Sequence, residues 1–295
     1  MSSLFDFDKP AIYAVMGSPV SHSKSPRIHA LFAEQTGQRL QYTAIQVDPG
    51  GFEQAVRNFV ANGGHGLNVT VPFKTNAWEL VDTRTSRAEL AGAVNTIVVE
   101  AQGVLHGDNT DGVGLVNDIL QNLGGVVADK CVLLLGAGGA ARGVLGPLLE
   151  QRPRDLVIAN RTADRAVTLA QNFSRLGAVT GCGLDDLGER RFEVVINATA
   201  ASLQGEVPPL PDGLLAPGAW CYDMMYGAEA TPFMQWAQRH GAGKVSDGLG
   251  MLVEQAAESF LLWRGVRPDT TPVIATLRRE LAVTASTQSV ERRDG

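Results

Sequence analysis

The stretch CVLLLGAGGAARGVL, residues 131–145, decides the fold of the second half of this chain. An apolar run typical of a buried strand leads into Gly136-x-Gly138-x-x-Ala141, and a helical pattern follows. In a βαβ unit, Gly136 permits the tight turn, Gly138 lets a pyrophosphate approach the backbone, and Ala141 keeps helix and strand close. The phosphates then lie at the N–H groups of the helix N-terminus. The motif predicts a dinucleotide site, and a purely structural βα turn is the alternative.

The second strand of this unit indicates which dinucleotide is bound. It covers residues 155–160 and ends in Asn160, where an NAD-binding protein carries an acidic residue for the ribose 2′-hydroxyl. Thr162 is the expected N-cap of the next helix, so Arg165 falls in the first turn, where the helix dipole disfavours a cation. An anion held between Arg161 and Arg165 explains this placement and predicts NADP. The alternative is a pair of solvated arginines, with Asp164 as a competing carboxylate.

Outward from this motif, β-rich runs alternate with helical patterns, which predicts an α/β protein with parallel sheets. A length of 295 residues corresponds to roughly two domains. We predict two lobes: an α/β substrate-binding catalytic domain from residues 1–110 and 248–285, which is discontinuous, and a Rossmann-like NADP-binding domain from 111–247. Residues 271–285 are expected to be the last helix, and residues 286–295 a flexible tail.

Composition and charge restrict the class of partner. The chain has 31 acidic and 25 basic residues and a net charge of −6, which argues against nucleic acid or an anionic membrane as the main partner. The N-terminus MSSLFDFDKP lacks the apolar segment of a signal peptide, and no apolar run is long enough to span a bilayer. Three separated cysteines indicate reduced thiols. We predict a cytoplasmic protein with a small-molecule substrate and no metal.

Three polar stretches follow predicted strands of the first half: NVTVPFK (68–74), GAVNT (92–96) and GDNTDG (107–112). Open α/β sheets bind ligands at such strand ends, and asparagine and threonine side chains suit a polyhydroxylated substrate. Lys74 is expected two residues into a helix that spans 72–83. Together with Asp111, it is suited to pass a proton to a carbonyl oxygen as hydride reaches the carbon. The alternative is a solvated lysine.

The stretch SHSKSP (21–26) contains Ser21-x-x-Lys24, the S-x-x-K pattern of serine acyl enzymes. The accompanying S-D-N and K-T-G motifs are missing, because Ser246-Asp247 is followed by Gly248 and Lys74-Thr75 by Asn76. Acyl-enzyme chemistry is therefore rejected.

Several strings together resemble the shikimate dehydrogenase family, and they occur in that family's order over about residues 15–268. They are SHSKSP, NVTVPFK, AGAVNT, GDNTDGVG, GAGGAARG, NRT, INAT, YDMMY and DGLGMLVEQAA. One departure follows INAT, where the family commonly has serine and this chain has Ala200. The departure leaves the proton-transfer groups intact, and we expect at most a modest change in cofactor affinity.

The resemblance implies a role for each matching residue. Lys74 and Asp111 match the catalytic pair, and Ser23 and Ser25 match the residues that bind the shikimate carboxylate. Thr70, Asn95 and Asp111 match residues that bind the ring hydroxyls, with Asn68 supporting the loop. The implied substrate-binding residues are Ser23, Ser25, Thr70, Asn95, Asp111, Tyr226 and Gln255. The implied cofactor-binding residues are Gly136, Ala137, Gly138, Gly139, Ala140, Asn160, Arg161, Thr162, Arg165, Met224, Gly248 and Met251.

The activity implied by the resemblance is the reversible NADPH-dependent reduction of 3-dehydroshikimate to shikimate, a step in aromatic amino acid biosynthesis. We expect a monomer or a homodimer. One alternative is a quinate/shikimate dehydrogenase that uses NAD or accepts quinate. The other is a catalytically idle NADP-binding sensor, against which the intact Lys74, Asp111 and Gln255 count.

Overall fold

The computed structural model describes residues 9–291, which divide into two compact units. Unit 1 contains the chain up to Thr110 together with Gln255–Val273. Unit 2 contains Asp111–Glu254 and the chain from Ile274 onwards. The later boundaries of the units lie at 254/255 and 273/274, within the last two helices. The sequence analysis instead places residues 248–285 as one segment in the first domain.

Unit 1 is built on a mixed sheet with the strand order β2-β1-β3-β5-β6-β4 in the described part of the chain. The strands are β1 (Ala11–Gly17), β2 (Leu40–Gln46), β3 (Gly64–Val69), β4 (Thr83–Arg84), β5 (Thr96–Val99) and β6 (Leu105–Asp108). The helices that lie wholly in this unit are α1 (Ser25–Thr36), α2 (Phe52–Ala61), α3 (Lys74–Leu80) and α4 (Ser86–Ala91). Strand β1 is parallel to β2 and β3, while β5 and β6 form an antiparallel pair.

Unit 2 contains a parallel sheet with the order β12-β11-β10-β7-β8-β9 among the described residues. Its strands are β7 (Cys131–Leu135), β8 (Asp155–Asn160), β9 (Val179–Gly183), β10 (Phe192–Asn197), β11 (Leu215–Asp223) and β12 (Lys244–Asp247). The helices are α5 (Asp111–Asn117), α6 (Gly139–Glu150), α7 (Ala163–Phe173), α8 (Pro232–Arg239), α9 (Leu249–Arg264) and α10 (Thr271–Glu291); the last two also contribute residues to unit 1. This is the doubly wound order of dinucleotide-binding sheets, with its switch point between β7 and β10.

Strand β7 shows why the parallel sheet forms. Val132, Leu133, Leu134 and Leu135 are all fully buried, as expected of a central strand covered on both faces. Leu133 and Leu135 belong to one apolar core of unit 2, together with residues of β8, β10 and β11. The predicted α/β class with a Rossmann-like domain is confirmed.

Helix α3 differs from its prediction. The N–H of Phe73 donates to the carbonyl of Thr70 at 3.0 Å, which makes a turn around Pro72, and Phe73 is the N-cap. The helix ends at Leu80 because Val81 has an extended backbone. Lys74 is therefore the first helical residue, and its predicted place two residues into a helix over 72–83 is wrong.

Other elements also depart from the predicted pattern. The short strand β12 was not predicted, because it has only four residues, among them polar Lys244 and Ser246. Helix α5 continues directly into a π-helix over Asp118–Asn122, which the sequence does not predict. Helix α10 continues to Glu291 rather than ending at residue 285; the last part of the expected tail, 292–295, lies outside the described residues. Of the helices in the described range 9–291, none is long and apolar enough to cross a membrane.

Candidate active site

The glycine turn after β7 has the backbone geometry that the sequence motif predicts. Gly136 has a φ of 102°, a conformation that side-chain-bearing residues rarely adopt, and its N–H donates to the carbonyl of Ala159 at 2.8 Å. A Cβ at this position would lie 3.2 Å from Cγ2 of Thr199 and 3.3 Å from the carbonyl oxygen of Ala198. A side chain at position 136 would therefore strain the backbone and crowd the point where the ends of β7 and β10 meet.

The N-terminus of α6 fits a pyrophosphate. Gly138 is the N-cap of this twelve-residue helix, and no side chain caps the first turn. Gly138, Gly139 and Ala140 are exposed, and a Cβ added to either glycine would meet no protein atom within 4 Å. An open backbone surface with N–H groups at a helix N-terminus is the feature that binds phosphate in dinucleotide folds.

The residues predicted to select NADP lie at the end of β8. Asn160 ends the strand, and its side-chain amide donates to the carbonyl of Thr162 at 2.9 Å. Thr162 is the N-cap of α7, although its side chain makes no capping hydrogen bond. Arg161 and Arg165 are exposed, as is Asp164. The strand end has an amide in place of the acid that binds a ribose 2′-hydroxyl.

The loops after β11 and β12 and the start of α9 contain Met224, Gly248 and Met251, which the resemblance implies as cofactor-binding residues. The N–H of Gly248 donates to the carbonyl of Met225 at 3.0 Å, and a Cβ at Gly248 would lie 2.2 Å from the carbonyl oxygen of Met224. The two loops are thus in backbone contact. Met251 is buried on the first turns of α9, and Tyr226 is half-buried, where burial raises the pKa of its hydroxyl.

A hydrogen-bond network behind the loop after β10 was not found from the sequence. Asp223 is fully buried and accepts from Ser202 Oγ at 2.7 Å, Thr231 Oγ1 at 2.6 Å and Asn197 Nδ2 at 3.1 Å. Burial raises the pKa of Asp223, and these hydrogen bonds oppose that change. Ser202 thus anchors the loop in which Ala200 departs from the family pattern.

In unit 1, the predicted substrate loops share one edge of the sheet. The N–H of Thr70 donates to the carbonyl of Met16, and the N–H of Val94 donates to the carbonyl of Lys74, both at 2.9 Å. The first bond joins the end of β1 to the loop after β3. The second joins the start of α3, which follows that loop, to the segment before β5 that contains Asn95. Thr70 and Lys74 are half-buried, and Asn95 is buried.

A buried polar network lies beneath these loops. Asn68 Nδ2 donates to Ser259 Oγ at 3.0 Å and to Thr96 Oγ1 at 3.2 Å. Asn95 donates to Thr110 Oγ1 at 2.9 Å, and its side-chain oxygen accepts from the N–H of Thr110 at 2.9 Å. Because buried amides are costly without partners, this network fixes the loop orientation. The sequence indicated Asn68 and Asn95, but Ser259 lies on α9, far away in the chain.

The serines of SHSKSP lie before and at the start of α1. The N–H of Ser25 donates to Ser23 Oγ at 3.3 Å. Ser25 is buried and hydrogen-bonds to Tyr42; the Tyr42 hydroxyl donates to Asn68 Oδ1 at 2.7 Å. Burial raises the pKa of Tyr42 well above its ordinary value, so this tyrosine remains neutral. His22 is exposed.

The loop before Asp111 is fixed by an ion pair. Asp108 is buried, and Arg87 forms two hydrogen bonds to its carboxylate at 2.6 and 2.7 Å. The hydroxyl of Thr85 donates to the same carboxylate at 2.6 Å. This paired geometry orients the GDNTDG stretch.

The two residues predicted as the catalytic pair belong to different units. Lys74 begins α3 in unit 1 and Asp111 begins α5 in unit 2; both side chains are half-buried. Gln255, also half-buried, is in unit 1, and its carbonyl accepts from Ser259 Oγ at 3.1 Å. Their joint action on one substrate stays a prediction.

Family models match most of the chain. Residues 15–97 match the shikimate dehydrogenase substrate binding domain, residues 118–204 match shikimate / quinate 5-dehydrogenase, and residues 248–278 match the shikimate 5′-dehydrogenase C-terminal domain. The chain belongs to the shikimate dehydrogenase family. The resemblance predicted from the sequence is confirmed.

Individual relatives agree with this assignment. The shikimate dehydrogenase (NADP(+)) of Alkalilimnicola ehrlichii is 60% identical over 268 residues, which cover 91% of this chain and 98% of the relative. The corresponding protein of Methylococcus capsulatus is 59% identical, with 92% and 98% covered. Among solved structures, a shikimate 5-dehydrogenase from Thermus thermophilus in complex with NADP(H) and shikimate is 32% identical, with a TM-score of 0.80 and coverage of 91% and 99%.

Proposed function

We propose that this chain catalyses the reversible NADPH-dependent reduction of 3-dehydroshikimate to shikimate, the step that serves aromatic amino acid biosynthesis. The observation that carries the proposal is the 60% identity to a shikimate dehydrogenase (NADP(+)) over 98% of that relative. The glycine turn at 136–138 and the polar loops of unit 1 supply the two kinds of binding surface that the reaction needs.

Lys74 and Asp111 are the proposed proton-transfer pair. NADPH, when bound, supplies the hydride. The Lys74 ammonium donates a proton to the oxygen of the substrate carbonyl as negative charge develops there, and Asp111 positions the ammonium. Lys74 begins α3, and its carbonyl bond to the N–H of Val94 fixes that backbone against the AGAVNT loop. The protein thereby contributes alignment and electrostatics to chemistry that belongs to the cofactor.

Substrate recognition is assigned mainly to unit 1. Ser23 and Ser25 are proposed to donate hydroxyl hydrogen bonds to the substrate carboxylate, and Thr70 and Asn95 to bind its ring hydroxyls. The bonds of Asn95 to Thr110 support a fixed orientation for this role. Asp111 and Tyr226 are proposed as further substrate contacts, and Gln255 as the residue that closes over the substrate.

Unit 2 is proposed to bind NADP. The pyrophosphate is assigned to residues Gly136–Ala140, and the 2′-phosphate to the cluster of Asn160, Arg161, Thr162 and Arg165. The open surface above Gly138 and the missing acid at the end of β8 support these assignments. Met224, Gly248 and Met251 are assigned to the nicotinamide side.

An initial-rate matrix tests the proposal. The purified chain is assayed with shikimate and with quinate, each with NADP and with NAD, by the change in absorbance of the reduced cofactor. We expect the highest kcat/KM with shikimate and NADP. Highest efficiency with NAD or quinate would establish the quinate/shikimate alternative, and cofactor binding without turnover would establish the sensor. Cytoplasmic location and a monomeric or dimeric state stay predictions, which fractionation and light scattering test.

A further inference from the structure

A single guanidinium on the C-terminal helix joins the loop after β11 to the end of β12 in unit 2. Arg278 lies on α10, and its Nη1 donates to Asp247 Oδ2 at 2.7 Å while its Nη2 donates to Asp247 Oδ1 at 2.5 Å. The same Nη1 donates to the carbonyl oxygen of Gly227 at 3.2 Å. Arg278 therefore holds the loop after β11 against the end of β12.

Both loops leave the same edge of the parallel sheet. Asp223, the last residue of β11, is in register with Asp247, the last residue of β12. The first loop then contains Met224 and Tyr226, and Gly248 follows in the second. Since ligands bind outside the carboxyl ends of such strands, the guanidinium supports residues assigned to the nicotinamide and substrate.

The contact between the loops leaves little freedom for adjustment. A Cβ atom added at Gly248 would lie only 2.2 Å from the carbonyl oxygen of Met224, so the two loops are closely packed. Asp247 is 6% exposed and also accepts from the N–H of Leu249 at 3.2 Å, at the start of α9. If Arg278 is removed, this carboxylate loses two charge-assisted hydrogen bonds and both loops lose a shared anchor.

We propose that Arg278 is a positioning residue that orders the 224–227 and 247–249 loops for the nicotinamide half of the cofactor, without contacting the cofactor itself. The inference rests on the proposed NADP-dependent function and adds a residue that the sequence motifs do not contain. Its consequence is selective: the adenosine half of the cofactor, assigned to the end of β8, is bound independently of Arg278.

The inference is tested by comparing how Arg278 variants respond to NADPH and to a ligand that lacks the nicotinamide half. In Arg278→Gln, kcat/KM for NADPH should fall about tenfold, the effect expected from losing a charge-assisted hydrogen bond at a site that demands alignment. The inhibition constant of adenosine 2′,5′-bisphosphate, which has the 2′-phosphate but no nicotinamide, should stay within about twofold of the parent value. Arg278→Lys keeps one charged donor and should fall between the parent and Arg278→Gln.

Matched controls separate this role from a purely structural one. Arg279→Ala removes the neighbouring exposed arginine, whose Nη2 donates to Thr276 Oγ1 at 3.0 Å, and should behave as the parent. Unchanged kcat/KM in Arg278→Gln overturns the inference, and so does an equal weakening of NADPH and adenosine bisphosphate. If Arg278→Gln does not fold, the same comparison is made with Arg278→Lys. A parent chain that is inactive with 3-dehydroshikimate and NADPH contradicts the proposed function instead.

Discussion

At the scale of single residues, Lys74 makes the most direct prediction. In Lys74→Ala, kcat should fall about 10²–10⁴-fold while the KM for shikimate changes little, because a proton donor acts mainly in the transition state. Steady-state rates over a range of shikimate concentrations measure both constants. Lys130→Ala is a suitable control, since Lys130 pairs with Glu193 at 2.9 Å at the amino end of β7. Full turnover in Lys74→Ala would exclude this lysine as the proton donor.

Arg161 makes a second residue-scale prediction, about cofactor choice. In Arg161→Ala, the KM for NADPH should rise about tenfold, because a charged hydrogen bond to the 2′-phosphate is lost, whereas the KM for NADH should stay nearly unchanged. Initial rates with the two reduced cofactors give this comparison. Arg175→Ala, another exposed arginine of the same unit, should leave both values unchanged. Equal losses with NADPH and NADH would contradict the assignment of Arg161 to the 2′-phosphate.

At the scale of elements, the turn from β7 to α6 separates two uses of glycine. Gly136 has a φ of 102° and close neighbours, so Gly136→Ala should destabilise the protein by about 1–3 kcal/mol and also weaken NADPH binding. Gly138 has a φ of −87° and open space, so Gly138→Ala should change stability by less than about 0.5 kcal/mol yet weaken NADPH binding by steric contact with the pyrophosphate.

Denaturant unfolding and NADPH titration of both variants check the contrast between the two glycines. Each variant serves as the control for the other, because both add the same methyl group to the same turn. Unaltered NADPH affinity in Gly138→Ala would remove the pyrophosphate from its proposed place at the start of α6.

The helices and strands also show which parts of the fold a sequence pattern can predict. The apolar run of β7 and its glycines predict the parallel sheet, because a strand buried on both faces needs such residues. The length of α3 was not predictable in this way. The turn at Thr70–Phe73 and the extended Val81 fix its ends, and neither is visible as a change in apolar periodicity. Strand β12 escaped prediction because four residues with polar side chains carry almost no periodic signal.

At the scale of the whole molecule, the sequence likewise predicts only part of the candidate site. Motifs that recur in a family indicated residues such as Lys74 and Asn95, and the glycine fingerprint indicated Gly136. Residues that support these positions are found only through tertiary structure. Ser259 reaches Asn68 from a helix 191 positions later in the chain, and Arg278 reaches Asp247 from the last helix, which the sequence analysis does not connect with the site. Partners at such separations have no local spacing that identifies them.

The pH dependence of stability is a property of the whole chain to which buried His29 contributes. His29 is fully buried and stacked on Tyr42 with 4.2 Å between ring centroids, and burial lowers its pKa to about 3. In the unfolded chain the pKa returns to about 6.5, so below that pH the unfolded state binds a proton that the folded state does not. The free energy of unfolding therefore keeps its full value, as far as His29 is concerned, above pH 6.5, and it decreases as the pH falls from 6.5 towards 3.

Between pH 7.5 and pH 5, this linkage should therefore remove about 2 kcal/mol from the free energy of unfolding. Urea unfolding at the two pH values measures the loss, and His29→Phe, which keeps an aromatic ring beside Tyr42, should lose about 2 kcal/mol less than the parent. His22→Phe is the matched control, because His22 is exposed and its replacement should preserve the parent's pH dependence. If His29→Phe loses as much stability as the parent, the acid sensitivity has its origin in other groups, and the buried imidazole does not control it.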